Sequence, residues 1–207
     1  MRNKLTGTKE VIFDTFIEMV STFGYESVSM RDISGKIGVQ VAAIYNHFKS
    51  KRHILDFVYA YYTEYLYENR NSLDDVKKLI ETASAEEIIS MMDYNFVSEN
   101  KKHYRRMILI TKIVYMRLYQ DEAASKIFFD STRNNAKYLT DLLEYAIEIG
   151  RLKPNFDVKT FADSLIGAKQ IMGIKAFADP NYTVGQLAHE KQILALFSQL
   201  LGSALFT

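Results

Sequence analysis

Residues 29–51, Ser-Met-Arg-Asp-Ile-Ser-Gly-Lys-Ile-Gly-Val-Gln-Val-Ala-Ala-Ile-Tyr-Asn-His-Phe-Lys-Ser-Lys, constrain this chain more than any other segment. Ser29 with Asp32 three residues later has the form of a capping box, and it opens a short helix with Met30, Ile33 and Ile37 inward. Gly38 ends that helix, since glycine accepts the left-handed backbone of a tight turn. A second short helix follows over about Gln40 to His47, and Ser50 can cap a third. Short helix, tight turn, short helix is a helix-turn-helix, whose second helix is shaped to lie in the DNA major groove.

The rest of the chain reads helical as well, giving an all-α fold. Alternating β-branched runs closed by Asn-Gly or Asp-Gly turns are missing. A first helix runs from about Thr8 to Phe23, with Ile12, Phe16, Met19, Val20 and Phe23 at helical spacing and Gly24 as its stop. The helix capped by Ser50 carries an apolar stripe through Ile54, Leu55, Val58, Tyr62, Tyr65 and Leu66. Asn71 to Lys78 is polar and charged, either a loop or a short helix. Ser84 with Glu87 is a second capping-box match, opening a helix to about Ser98. Further helices span about Lys101 to Tyr119 and Glu122 to Ile149, the latter stopped by Gly150. Pro154 and Pro180 punctuate the approach to the last two, about Val158 to Ala178 and Val184 to Leu205. The expected division is a helix-turn-helix head at residues 1–50 and a larger bundle at 51–207.

Composition removes several function classes. Cysteine is absent, so disulfides, thiolate metal sites and a cysteine nucleophile are excluded. No run approaches the ~20 apolar residues of a membrane span, and Met1-Arg2-Asn3-Lys4 opens no signal-peptide core, so a cytoplasmic location is expected. The net charge of +1 carries little information, but its distribution does: residues 1–55 sum to +3 and the remainder to −2. A basic end on an acidic body is the polarity of a protein with one end toward phosphates. No catalytic arrangement stands out. His47, His53, His103 and His189 show no metal-ligand spacing, and no glycine loop could cradle a phosphate. The neighbours Asp74/Asp75, Glu86/Glu87 and Asp121/Glu122 diverge by about 100° on a helix, which suits helix starts and loops better than a shared substrate. The run Lys101-Lys102-His103-Tyr104-Arg105-Arg106 reads as a solvated helix start, with a second nucleic-acid patch as the alternative. The expectation is a non-enzyme without metal or cofactor.

The second helix of the motif has two faces. Ile44 and Phe48, four apart, point to the core of the head. The opposite face then holds Ala42, Ala43, Tyr45 and Asn46. Asn46 can pair bidentately with an adenine edge, and the Ala43 methyl suits a thymine methyl. Tyr45 offers a hydroxyl to phosphate. Gln40 and Val41 lie where such helices approach bases, and His47 lies toward the backbone-facing end. Lys49 and Lys51 flank the Ser50 cap, where a phosphate would meet lysine charge and the positive end of a helix. Periodicity alone leaves open that the two short helices merely pack together.

Residues 8–58 resemble the DNA-binding head of the TetR family of bacterial transcriptional repressors. The resemblance rests on the first helix and its Gly24-Tyr25 end, on Ser29-Met30-Arg31-Asp32-Ile33, and on Ile37-Gly38-Val39 at the turn. The most specific piece is Ile44-Tyr45-Asn46-His47-Phe48-Lys49-Ser50-Lys51, similar to the family's Leu-Tyr-x-x-Phe-Lys-x-Lys signature. It covers about a quarter of the chain. By position it implies phosphate contacts from Tyr45 and Lys51 and groove contacts from Gln40, Val41, Ala43 and Asn46. With Ser29, Arg31, His47 and Lys49 these form the expected DNA-binding set. Members often carry Lys and Thr where Val41 and Ala43 stand here, which suggests more reliance on apolar contact and DNA shape. Gly35, inside the second helix, should cost about 1 kcal/mol relative to alanine, with no evident functional reason.

The resemblance also implies an effector-binding, dimerising body, with double-stranded operator DNA and a small-molecule effector as partners. The chain has 14 tyrosines and no tryptophan, and aromatics crowd residues 57–67 and recur at Phe96, Tyr104, Tyr115, Tyr119, Phe128 and Phe129. Tyr62, Tyr65, Phe96, Met107, Thr111, Tyr115 and Phe128 are the expected ligand-binding residues, although core packing accounts for most aromatics of this kind. Phe161, Leu165, Ala168 and Met172, and Ile193, Leu196, Phe197, Leu200 and Leu201, give the last two helices apolar faces that a second chain could cover. The expected function is a homodimeric repressor on a palindromic operator, released by a small apolar or aromatic effector. A small-molecule binding protein that keeps the head without specific DNA binding is the alternative, and a helical enzyme with an aromatic site is a third reading.

Overall fold

The computed structural model describes residues 5–68, 72–91, 101–178 and 184–205. They form α1 (Gly7–Phe23), α2 (Met30–Ile37), α3 (Val41–Tyr45), α4 (Lys51–Glu68), α5 (Leu73–Ile80), α6 (Ala85–Met91), α7 (Lys101–Arg117), α8 (Glu122–Glu148), α9 (Val158–Ala178) and α10 (Val184–Ala204). Among these residues there is no strand, only an isolated bridge between Leu152 and Leu205. None of the described helices is long and apolar enough to cross a membrane.

Local chemistry sets the boundaries. Ser29 and Asp32 form the full capping box: Asp32 N–H donates to Ser29 Oγ at 3.2 Å and Ser29 N–H to Asp32 Oδ2 at 2.8 Å. Ser84 and Glu87 repeat it at α6, with 3.2 and 2.7 Å. Ser72 caps α5 through Asp75 N–H, so the ambiguous polar segment is a helix. Asp121 and Asp157 accept the free N–H groups at the starts of α8 and α9. Gly38 closes α2 with φ of +74°, and Gly150 follows α8 with φ of +73°, a region that favours glycine. The second helix of the motif is shorter than the spacing predicts, since regular α-helix ends at Tyr45. The helix expected to reach Ser98 is described only to Met91, and Pro180 lies outside the described residues.

The described residues fall into two compact units, one within Met1–Arg70 and Phe96–Phe129, the other within Asn71–Asn95 and Asp130–Thr207. In the first, α1 packs against α2, α4 and α7. Ile12, Phe13, Phe16, Ile33, Ile44, Phe48, Ile54 and Leu55 make one continuous core with Met107, Ile110 and Ile113. The three-helix head therefore shares its core with α4 and α7.

In the second unit, α6 and α9 pack on α10, and Ile80, Ile88, Leu139, Leu142, Phe161, Leu165 and Leu201 are buried together. This corrects part of the expected partner-covered face: Phe161, Leu165 and Leu201 are consumed by the chain's own core, and the Phe161 ring stacks edge-on against Phe197 at 5.6 Å. An amphipathic face shows that something covers it, not which chain does. Among the described large apolar residues of α9 and α10, Ile171, Ile174, Leu196 and Leu200 stay exposed, at 56%, 44%, 58% and 57%.

Candidate nucleic-acid interface and effector residues

Helix α3 is held by two anchors. Ile44 and Phe48 are fully buried, and the Phe48 ring meets Phe57 edge-on at 5.6 Å. Lys9 places its ammonium 4.0 Å from the centroid of the Phe57 ring, tying the start of α1 to the same point. With these anchors inward, Gln40, Ala42, Tyr45, Asn46, His47 and Lys49 are exposed, and Ala43 is half-buried. Val41 is half-buried and packs on the head core, so only part of it faces outward. The exposed set offers amide, hydroxyl, imidazole and ammonium groups from a rigid support, which is the chemistry of base-edge and phosphate contact.

Two of the expected residues already have local work. The Ser29 hydroxyl serves the α2 cap, while Arg31, one residue on, is exposed. Lys51 donates from Nζ to the Tyr25 carbonyl at 2.8 Å and lies 4.1 Å from the centroid of the Tyr25 ring. At the start of α4, Ser50 Oγ accepts from His53 N–H at 3.0 Å, and His53 Nδ1 accepts from Lys49 N–H at 3.1 Å. The histidine thus stands where a capping box places Glu or Gln.

In the basic run at the start of α7, Lys102 and Arg105 stay largely exposed, as a solvated helix start predicts, but both pair with acids of α1, and Arg106 is drawn inward. Arg106, only 11% exposed, donates from Nε to Asp14 at 2.6 Å and from Nη2 to Glu10 at 2.5 Å. Lys102 pairs with Glu10 at 2.9 Å and Arg105 with Glu18 at 3.0 Å. Hydrogen bonds from Lys102 and then Arg106 hold the Glu10 carboxyl below its usual range. Burial opposes the Arg106 charge, but Asp14 and Glu10 outweigh it and keep the guanidinium protonated. The signal was present in sequence: acids at 10, 14 and 18 fall on one face of α1.

A second charged cluster lies at the other end of α7. Asp121 is buried, and its Oδ2 accepts from Arg52 Nη1 at 2.7 Å and lies 3.4 Å from Arg117 Nε. Burial raises the Asp121 carboxyl, but the Arg52 charge and the N–H groups of Ala123 and Ala124 bring it below the ordinary value.

The expected effector residues come together only in part. Met107, Thr111 and Tyr115 follow one face of α7 at four-residue spacing. Thr111 shares a hydrogen bond with the Tyr62 hydroxyl at 3.1 Å, and its Oγ1 lies 2.8 Å from the Met107 carbonyl. Burial pushes Tyr62 up to about 12 and raises Tyr115, so both are neutral donors near pH 7. Tyr115 meets Phe128 edge-on at 5.4 Å. Tyr65 faces His103 instead, with ring centroids 4.7 Å apart. Met107 is fully buried in the core, and Phe96 lies outside the described residues. His103, which its place in the basic run does not mark as a ring partner, also meets the Tyr61 hydroxyl at 3.1 Å; burial, with help from Arg106, lowers its pKa. Among the described residues no group of three or more His, Asp or Glu could hold a metal ion.

Residues 12–58 match the family described as bacterial regulatory proteins, tetR family. Across 156 residues, 70% of this chain and 69% of the relative, the protein is 24% identical to the HTH-type transcriptional repressor KstR2 of Mycolicibacterium smegmatis. Over 54 residues, 26% of this chain and 24% of the relative, it is 39% identical to the class C tetracycline repressor protein of Escherichia coli. Among solved structures, the ketosteroid transcriptional regulator KstR2 of Mycobacterium tuberculosis superimposes with a TM-score of 0.66 at 20% identity, covering 99% of this chain and 98% of that one.

Proposed function

Because this chain belongs to the tetR family of bacterial regulatory proteins, we propose that it is a ligand-responsive transcriptional repressor acting as a homodimer on a palindromic operator. The observation that carries the reading is the division of α3 and the residues flanking it: Ile44 and Phe48 sealed in the core, Gln40, Tyr45, Asn46 and Lys49 turned outward. In this reading residues 1–50 read the duplex and residues 51–207 bind the effector and dimerise. Asn46 reads a base edge, Gln40, Val41 and Ala43 line the groove, and Ser29, Arg31, Tyr45, His47, Lys49 and Lys51 meet the sugar-phosphate backbone. The DNA partner places the protein in the cytoplasm.

The exposed Ile171, Ile174, Leu196 and Leu200 supply the dimer face. Two heads about 34 Å apart then match two half-sites one helical turn apart. The effector binds beside Tyr62, Thr111, Tyr115 and Phe128, where neutral hydroxyls sit among apolar walls. That chemistry suits a flat, apolar, ring-fused molecule with one or two oxygen functions, and the likeness to a ketosteroid regulator supports the same class. The test is binding to the DNA upstream of the protein's own gene, titrated with salt and then with ring-fused ketones. The account expects binding at least a thousandfold tighter than to random duplex, and release by a compound of this class. Equal affinity for both duplexes would support a small-molecule binding protein that merely retains the head.

A further inference from the structure

We infer that Tyr25 and Arg117 are positioning residues for Lys51, so that a phosphate contact made at the start of α4 is set by a side chain at the far end of α7. The inference rests on the reading of Lys51 as a phosphate contact. A lysine ammonium on a four-carbon stem is usually a mobile point charge. Here one of its three protons goes to the Tyr25 carbonyl at 2.8 Å, and the ammonium sits 4.1 Å from the Tyr25 ring centroid. Two donors remain for a phosphate oxygen. The same ring takes the Arg117 guanidinium at 4.3 Å, and Phe16 packs edge-on to it at 6.5 Å. Arg117 is in turn held by Asp121 and Glu26, each at 3.4 Å.

Asp121 closes the circuit through Arg52, the residue after Lys51. Two consecutive residues at the start of α4 are therefore tied to the end of α7, one through an aromatic ring and one through a buried carboxylate. The ring is the only piece of this circuit that touches both the Lys51 ammonium and the Arg117 guanidinium in the described contacts. Removing either the ring or the guanidinium should free the lysine without touching the DNA-facing surface. Because α7 also carries Met107, Thr111 and Tyr115, a shift of that helix would be delivered at Lys51.

Phosphate contacts are independent of sequence, so the test uses a random duplex about three helical turns long, with binding followed by anisotropy over a salt series. Lys51→Ala should lower the salt slope by about one. Arg117→Met and Tyr25→Leu should each weaken binding roughly threefold to tenfold, and Tyr25→Phe, which keeps ring and carbonyl, should bind like wild type. In the Lys51→Ala background, Arg117→Met should add no further loss. Full additivity of the two, or wild-type binding by Arg117→Met beside a weakened Lys51→Ala, overturns the inference and leaves the phosphate reading intact. An unaffected Lys51→Ala overturns both. Circular dichroism checks each variant's fold, and if Arg117→Met is unfolded the contrast between Tyr25→Leu and Tyr25→Phe decides: equal binding by those two defeats the inference.

Discussion

Helices α3 and α7 lie in the same compact unit and put their polar residues to opposite uses. On the five-residue α3 only Ile44 is fully buried, and Tyr45 and the C-cap residue Asn46 face solvent. On α7, which packs against both α1 and α4, Arg106, Thr111 and Arg117 are drawn inward and each has a partner from another element. A buried polar group must be satisfied within the protein, whereas an exposed one on a rigid support is free to satisfy an outside partner. The contrast teaches where to look for readout and where for alignment: α3 is built to meet something else, and α7 to hold the parts that present it.

The largest effect that could break this contrast is at the anchor of α3. Phe48→Ala should cost about 3–5 kcal/mol by urea denaturation; a loss below about 1 kcal/mol would mean that α3 is not fixed from below. On the α7 side, Arg106→Met leaves Glu10 and Asp14 facing each other with Lys102 alone, and should cost about 1–3 kcal/mol, discounted because both acids are partly exposed. An unchanged midpoint would make the clamp ornamental.

Acidity sharpens the comparison next. The Glu10 and Asp121 carboxyls are lowered by folding, so their contribution is complete above the ordinary carboxylate range of about 4 and is lost as pH falls through their lowered values. His103 is lowered too, so the unfolded chain takes its proton first, and stability begins to fall below about 6.5. The urea midpoint should be flat near pH 7–8 and decline in these two stages, with the acid stage smaller in Arg106→Met. The smallest effect is at Gly35, where an added methyl meets nothing within 4 Å: Gly35→Ala should stabilise by about 0.5–1 kcal/mol.

What could be read from the sequence was what local chemistry decides. Ser29 with Asp32, Ser84 with Glu87, and glycines at 24, 38 and 150 mark helix ends through contacts a few residues apart, and the structure keeps them. Glu87 and Asp121, expected at helix starts or in loops, accept backbone N–H groups at the starts of α6 and α8, and Asp75 accepts from the hydroxyl of Ser72, the cap of α5. The inward pair Ile44 and Phe48 followed from helical spacing alone. The pairing of Lys102 and Arg106 with Glu10 and Asp14 spans more than ninety residues, and a run of positive charge does not name its partner. Lys51 reaches Tyr25 across 26 residues for the same reason. Met107 shows the other limit, since helical spacing gives a core residue and an effector contact the same pattern.

The most direct test of the central claim is enrichment of duplexes from a random-sequence pool by the protein, run beside Asn46→Ala. The account predicts a palindrome with half-site centres about one helical turn apart, and loss of preference at one base pair in each half-site for the variant. Recovery of no common sequence, or of the same palindrome by both proteins, would contradict the assignment of α3 as the reading element.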